Sequence, residues 1–396
     1  MTPVKLPKTS ARMVKLQSRL RQAFSWILLA GGFCASAAAS AEEYHSLPGY
    51  KAQAVYSASP GVPYVAHSQQ NRLAAATAAV RACQHANPEQ SVTAYCELQQ
   101  LGDTAVPTAA EIKAAVPRKP HPLYLWHYQS AHNNVYLAGS VHILKHGLYP
   151  LPEQYQQAFA ASDTLVVEVD LSAFTPAQLQ FKSMQYGTLP DGQRIESVLP
   201  PDLYDALAEA TAAYGLPLTQ MGTFKPSFLT QQLVVLAMMS LGYDPDQGVE
   251  KHFIEQAGER QILQLETIDF QLGLLMNQPP ETQRAMVADT LAQLPELSTL
   301  TADLIVAWLS GDDASLTAAF EIQAGASEAA RDFMRALMDE RNVGMANKIA
   351  GYLQTSTDYF IIIGSGHFIG ENSIINLLER RGFTGRRVFS NQPLTP

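Results

Sequence analysis

Basic residues are scarce in this chain: 27 Lys and Arg stand against 36 Asp and Glu, and only 16% of its 396 residues are charged. Six of the basic ones (Lys5, Lys8, Arg12, Lys15, Arg19 and Arg21) crowd the first 21 positions, where no acid occurs. The remainder carries a net charge of about −15 with His neutral. Phosphate binding needs clustered Lys and Arg, so a body this acidic excludes nucleic acid as a partner. Cysteines are equally few, at Cys34, Cys83 and Cys96. Without a second ligand pair at finger spacing, they exclude a zinc-finger scaffold. Beyond residue 34 no apolar run approaches the roughly 20 residues that span a bilayer, so no membrane span is expected in the mature chain. Gly and Pro, at 24 each, are too ordinary for a fibrous or low-complexity chain.

What is there begins with a leader. The basic lead, an apolar stretch from Phe24 to about Cys34 and the small-residue run Ala35–Ala41 read as a secretory signal peptide over residues 1–41. Ala39-Ser40-Ala41 is an A-x-A cleavage site that puts the mature start near Glu42 and the protein outside the cytoplasm, secreted or periplasmic. A transmembrane anchor is the competing reading, because the basic lead is long. In an exported chain Cys83 and Cys96 read as a disulfide closing a short loop, against two unrelated thiols.

Residues 42–120 form a small N-terminal appendage. Its first part, 42–65, is rich in Pro, Gly, Ser and Tyr and reads as a loose linker, and Asn71–Ala86 is an alanine-rich helix stopped by Asn87-Pro88. A second unit covers 121–396. It opens with two strands, Leu123–Tyr128 and Val135–Ala138, about an Asn133-Asn134 turn, which predicts a hairpin. A helix from Pro152 to about Ala161 and an apolar strand, Thr164–Val169, follow. Strand, helix and strand at that spacing predict a crossover with parallel pairing. Residues of about 176–350 are almost wholly helical, apart from a short strand candidate at Gln261–Leu265, and Tyr359–Ile363 is a buried strand. The expected fold class is α/β (α+β): a mixed, partly parallel sheet drawn from both ends of the domain, with a large helical insertion.

Two segments of this sheet carry the chemistry. Gly139-Ser140-Val141-His142 and Gly364-Ser365-Gly366-His367 each follow an apolar strand, and their histidines stand 225 residues apart. The spacing rules out a local repeat and places two imidazoles at equivalent strand ends, where α/β sheets collect ligand and catalytic groups. Each glycine permits a sharp departure from its strand and close backbone approach. Glu168 interrupts the apolar strand TLVVEV and, if buried, needs a partner. Two imidazoles and a carboxylate make a common divalent-metal set, with positions left for water; metal-free His–Glu acid–base chemistry fits the same pattern. Ser140 and Ser365 lie outside any nucleophile-elbow motif and read as small turn residues. Met238, Met239 and Met276 read as core rather than a haem box.

The segments GSVH and GSGH, with the acid in LVVEVDL, resemble the TraB/PrgY/GumN family, to which the eukaryotic Tiki proteases are also similar. The likeness runs from about Leu123 to Phe389 and includes GVEKHF at 248–253, LQLET at 263–267, ERN at 340–342 and GSGHFIGENSIINLLERRGF at 364–383. It implies a fold shared with erythromycin-esterase and haem-binding ChaN-type proteins. For Tiki-like members it implies metal-dependent proteolysis through His142, Glu168 and His367, with Glu168 as third ligand or general base. The metal (Mn, Co or Zn) and the oligomeric state stay open, and the expected substrate is a peptide or another amide or ester. Of Glu250 and His252, at i and i+2, one turns inward; the family expects an aspartate-like acid near 250, where this chain has glutamate. Glu266 either approaches the site or serves as a helix N-terminal charge. Arg341 either neutralises oxyanion charge or forms a surface ion pair. The rival readings are a module that sequesters peptide or haem without turnover, and a metal-free His/Glu esterase.

Overall fold

The computed structural model describes residues 35–37, 41–323 and 327–394. Most of the expected leader lies outside these residues. The exception, β1 (Ala35–Ala37), pairs antiparallel with β3 (Ser59–Gln69). With β2 (Tyr50–Tyr56), β4 (Cys96–Leu101) and β5 (Thr104–Ala105) these form a five-stranded sheet in the order β1-β3-β2-β4-β5. Residues 50–65 are thus hairpin rather than loose linker. The alternation that makes β2 a strand is carried by alanines, with Ala52 and Ala54 fully buried, and alanine contrasts too weakly with its neighbours to announce a strand. The helix Arg72–Ala86 packs on this sheet, capped by Asn71, whose side chain accepts the Ala74 N–H. Cys83 and Cys96 are joined, their Cα atoms 5.9 Å apart, tying the helix to β4. The sheet does not hang free: Ala52, Leu98 and Leu101 belong to the same apolar cluster as Leu137, Ile361 and Trp308 of the second unit.

That second unit is built on six strands: β6 (Pro122–Gln129), β7 (Asn134–Ser140), β8 (Thr164–Val167), β9 (Gln261–Gln264), β10 (Tyr359–Gly364) and β11 (Arg386–Phe389), ordered β11-β6-β7-β10-β8-β9. The β6–β7 hairpin is antiparallel, as is β11 against β6. From β7 to β9 every neighbour is parallel. The sheet does come from both ends of the domain, yet β7 and β8 are not neighbours. Strand β10, nearly 200 residues downstream, wedges between them, and each pairs with it rather than with the other. The sequence explains the placement: Tyr359–Ile363 and Thr164–Val167 are fully buried runs, as expected of central strands covered on both faces. The insertion is helical except for β9, which adds the sheet's far edge, and it has its own small core around Leu207, Leu229, Leu233 and Val287. No helix among the described residues is long and apolar enough to cross a membrane.

Candidate active site

Three adjacent parallel strands end together. Gly364, last in β10, stands in register with Ser140, last in β7. His142 lies two residues past β7, Glu168 one past β8, and His367 in the short turn Ser365–Phe368 that follows β10. A Cβ built on Gly364 would sit 3.1 Å from Glu168 Oε1, 3.5 Å from His142 Nε2 and 3.8 Å from His367 Cδ2. All three predicted groups therefore converge over the bare Cα of one glycine. Gly364 has φ −49° and ψ 132°, a conformation open to any residue. It is needed for space, not for backbone freedom. Gly139 serves another purpose: a Cβ there would meet Tyr124 Cβ at 2.9 Å, and its carbonyl accepts the buried Trp308 indole N–H. The two look-alike glycines thus have different duties, one in the site and one in packing.

Each ring is held from behind. His142 Nδ1 lies 2.5 Å from Glu250 Oε2, and the Glu250 charge raises the imidazole to about 9. His142 is also the open member of the site, its side chain 67% exposed, whereas Glu168 and His367 are buried. Glu250 reaches it from the first turn of the helix Val249–Gln256, which docks through the Val249 N–H on the Val141 carbonyl. Gly248 permits that approach, since a Cβ there would lie 2.5 Å from the His142 carbonyl oxygen. His252 points elsewhere, against Tyr149 and the Gln256 amide. His367 Nδ1 is 2.6 Å from Asn342 Oδ1. Burial lowers this imidazole to about 4 against the opposing pull of Glu168, so the ring is neutral near pH 7.

Glu168 sits at the centre of a bridged cluster. Its Oε1 accepts the Gly364 N–H at 2.6 Å, and its Oε2 accepts from Arg341 Nη2 at 2.6 Å and from Gln271 Nε2 at 3.1 Å. Arg341 also spans both carboxylate oxygens of Glu266, and Gln271 donates to Glu266 as well. Burial works to raise the Glu168 carboxyl, but His367, His142, Arg341 and the Gly364 N–H outweigh it and hold the group below the usual range. Arg341 is buried, not a surface pair, and most of its donors are spent on two carboxylates and the Leu337 carbonyl. Glu266 joins the site through Arg341, with its own N–H on the Glu168 carbonyl. Ser140 is fully buried and its hydroxyl has no hydrogen-bond partner among the described residues.

Among the described residues no three His, Cys, Asp or Glu side chains stand as a closed metal-holding group. The donor chemistry nonetheless suits a cation. His142 Nε2 and the Cδ2 edge of the His367 ring face the Gly364 cradle, and each ring has its Nδ1 against an acceptor, the arrangement that orients metal-binding histidines. Glu168 Oε1 lies 3.8 Å from His367 Nε2. Three carboxylates, Glu168, Glu250 and Glu266, stand against Arg341 and a His142 that Glu250 holds charged; a divalent ion taking the place of the His142 proton would meet a double negative excess.

Sequence reasoning missed two members of this site: Asn342 sits in the quoted ERN segment without a role, and Gln271 has no sequence signal. Of Glu250 and His252, Glu250 is the one that turns inward. A usable signal was present for Asn342: it follows Arg341 directly, so a helix start that serves Glu168 brings the neighbouring amide close to the same strand ends. The helix Arg341–Tyr352 opens after a π-helical turn, Ala336–Glu340, a feature frequent at functional sites.

A model of the TraB/PrgY/gumN family matches residues 124–387. The chain is 23% identical over 257 residues to the uncharacterized protein YbaP of Escherichia coli (strain K12), covering 62% of this chain and 87% of that protein. It is 26% identical over 312 residues to the metalloprotease TIKI1 of Danio rerio, covering 65% of this chain and 62% of that protein. No solved structure matches it. The matched span covers more than half of the chain and holds every residue of the site described above, and the chain belongs to the TraB/PrgY/gumN family.

Proposed function

We propose that the protein is an exported hydrolase of amide or ester bonds, with a peptide as its leading substrate class. It works with a divalent ion, manganese, cobalt or zinc, held by His142 and His367 beside Glu168. The observation that carries this reading is the convergence of Glu168 Oε1, His142 Nε2 and His367 over the bare Cα of Gly364. The named relative TIKI1 is a metalloprotease, which agrees with it. When bound, such an ion lowers the pKa of water toward neutrality and polarises a carbonyl.

The chain's own residues do the rest. Glu250 and Asn342 hold the two rings by Nδ1 and leave Nε2 to the site. Arg341, Gln271 and the Gly364 N–H hold Glu168 ionised, its Oε1 edge toward His367, where it serves as third ligand or as proton acceptor for the attacking water. Arg341 acts through Glu168 and Glu266 and is a positioning residue. The insertion reaches the site through the helix Ile268–Met276, which carries Gln271, and its outer helices select the substrate. Export to the cell envelope rests on the leader and on a disulfide that persists outside the reducing cytosol.

A metal-free His/Glu esterase is the second reading, favoured by the three donors that already satisfy Glu168. The test is incubation of the purified, metal-stripped protein with a peptide library and with ester substrates, with and without Mn²⁺, Co²⁺ or Zn²⁺. Turnover that needs added metal supports the proposal. Turnover indifferent to chelator supports the esterase, and tight peptide or haem binding without product identifies a sequestering module.

A further inference from the structure

We propose that Asn342 is a positioning residue that fixes the tautomer of His367 and so presents its Nε2 lone pair to the site. The amide is fully buried and cannot turn over freely. Its Nδ2 donates to the Asn372 carbonyl at 2.9 Å, and only the nitrogen side of an amide can make that bond. Its Oδ1 must then face His367, 2.6 Å from Nδ1, and an amide oxygen accepts but never donates. His367 is therefore the donor, protonated on Nδ1 and free at Nε2, which lies 3.8 Å from Glu168 Oε1. The clamp extends one step further, because Asn372 Nδ2 donates to Asp339 Oδ2 at 3.1 Å. Asp339 and Asn342 thus grip one loop from both sides of the helix start, and the orientation of the amide follows from backbone and loop rather than from the ring it serves.

The partner on the other ring differs in kind. Glu250 is a carboxylate and favours a charged His142, whereas a neutral amide gives His367 direction without a compensating charge. The two imidazoles, alike in sequence context, are thereby made unlike: one open and charge-adaptable, one buried and locked as a neutral donor of electrons. The inference rests on the reading that both rings serve one metal-dependent site, but its main readout is independent of metal and turnover.

The test is two-bond ¹H–¹⁵N correlation NMR of ¹⁵N-histidine-labelled, metal-free full chain, with His367 assigned by the His367→Gln variant. The wild type is expected to show the Nδ1–H pattern for His367. Asn342→Leu, which removes the acceptor, is expected to shift it to the Nε2–H pattern, and Asn342→Asp, which keeps an acceptor, to preserve Nδ1–H. Co²⁺ titration should show about a 10–100-fold loss of affinity in Asn342→Leu and most of it recovered in Asn342→Asp. An Nε2–H wild type, or an unchanged Nδ1–H pattern in a folded Asn342→Leu, overturns the proposal. Should Asn342→Leu fail to fold, the wild-type and Asn342→Asp spectra decide it alone. A wild type that shows the Nδ1–H pattern yet binds no Co²⁺ refutes the metal site and leaves Asn342's role standing.

Discussion

Gly364→Ala separates the site from the fold more cleanly than removal of any ligand. The backbone at 364 already suits alanine, with φ −49° and ψ 132°, so no strain penalty attaches to the change. Replacing Gly at such a position commonly gains about 0.4–1 kcal/mol through the unfolded chain. The new methyl would lie 3.1 Å from Glu168 Oε1, a contact requiring a shift of a few tenths of an ångström, and in ordinary contact range of both histidines. The two effects nearly cancel, and stability should change by less than about 1 kcal/mol. Function should not survive as well, because the methyl covers the faces that Glu168, His142 and His367 turn to one another. Affinity for Co²⁺ or Zn²⁺, measured by isothermal titration calorimetry, should fall at least about 10–100-fold, with the melting temperature nearly unchanged. Gly139→Ala is the counterpart: its methyl would press on Tyr124 Cβ at 2.9 Å in the packed hairpin, costing about 1–3 kcal/mol of stability. A Gly364→Ala protein that binds metal as tightly as the wild type refutes the reasoning about the cradle.

Other perturbations test the supporting structure. Arg341→Met leaves Glu168 and Glu266 buried without their shared cation and should cost about 3–5 kcal/mol in denaturant unfolding; an unchanged unfolding curve counts against the buried bridge. Reducing Cys83–Cys96 opens a loop with a sequence separation of 13 and should cost about 3 kcal/mol, visible as a lower midpoint with reductant and not in a Cys83→Ala/Cys96→Ala control. Lys145 is buried, donating to the Pro107 carbonyl, and burial lowers its ammonium from 10.5 to about 8. Its folded value lies below its unfolded one, so between about pH 8 and 10 the unfolded chain binds the extra proton. Wild-type stability should therefore rise relative to Lys145→Met across that window, by on the order of 2 kcal/mol; parallel pH profiles for the two proteins would contradict it.

Much of this was legible in the sequence because strong signals were local. Continuous apolar runs marked β8 and β10, the Asn133-Asn134 turn marked the β6–β7 hairpin, and Asn71 and Asn87 bounded one helix. The paired Gly–x–x–His segments and the acid at 168 were visible as interruptions of those runs, and the structure brings all three together. Three features were not legible. Strand β10 lies between β7 and β8 through a contact between residues some 200 apart, which no local pattern encodes. The N-terminal sheet hides behind alanines, whose small side chains give little periodic contrast. Gln271 and Asn342 are neutral amides on helices, and a helical amide looks like solvent-facing surface until the fold aims it at a partner. The twin glycines both serve the expected close approach, but against different neighbours that the sequence does not name: site side chains at 364 and Tyr124 packing at 139.

The most direct test of the account is X-ray absorption at the cobalt edge on Co²⁺-loaded full-length protein, compared with His142→Ala and His367→Ala. The account predicts one tightly bound ion per chain with two imidazole nitrogens and at least one oxygen in its first shell, and loss of an imidazole signal together with tight binding in either variant. An ion whose spectrum and affinity are untouched by both substitutions, or full hydrolytic turnover in wild-type protein that binds none, would contradict it.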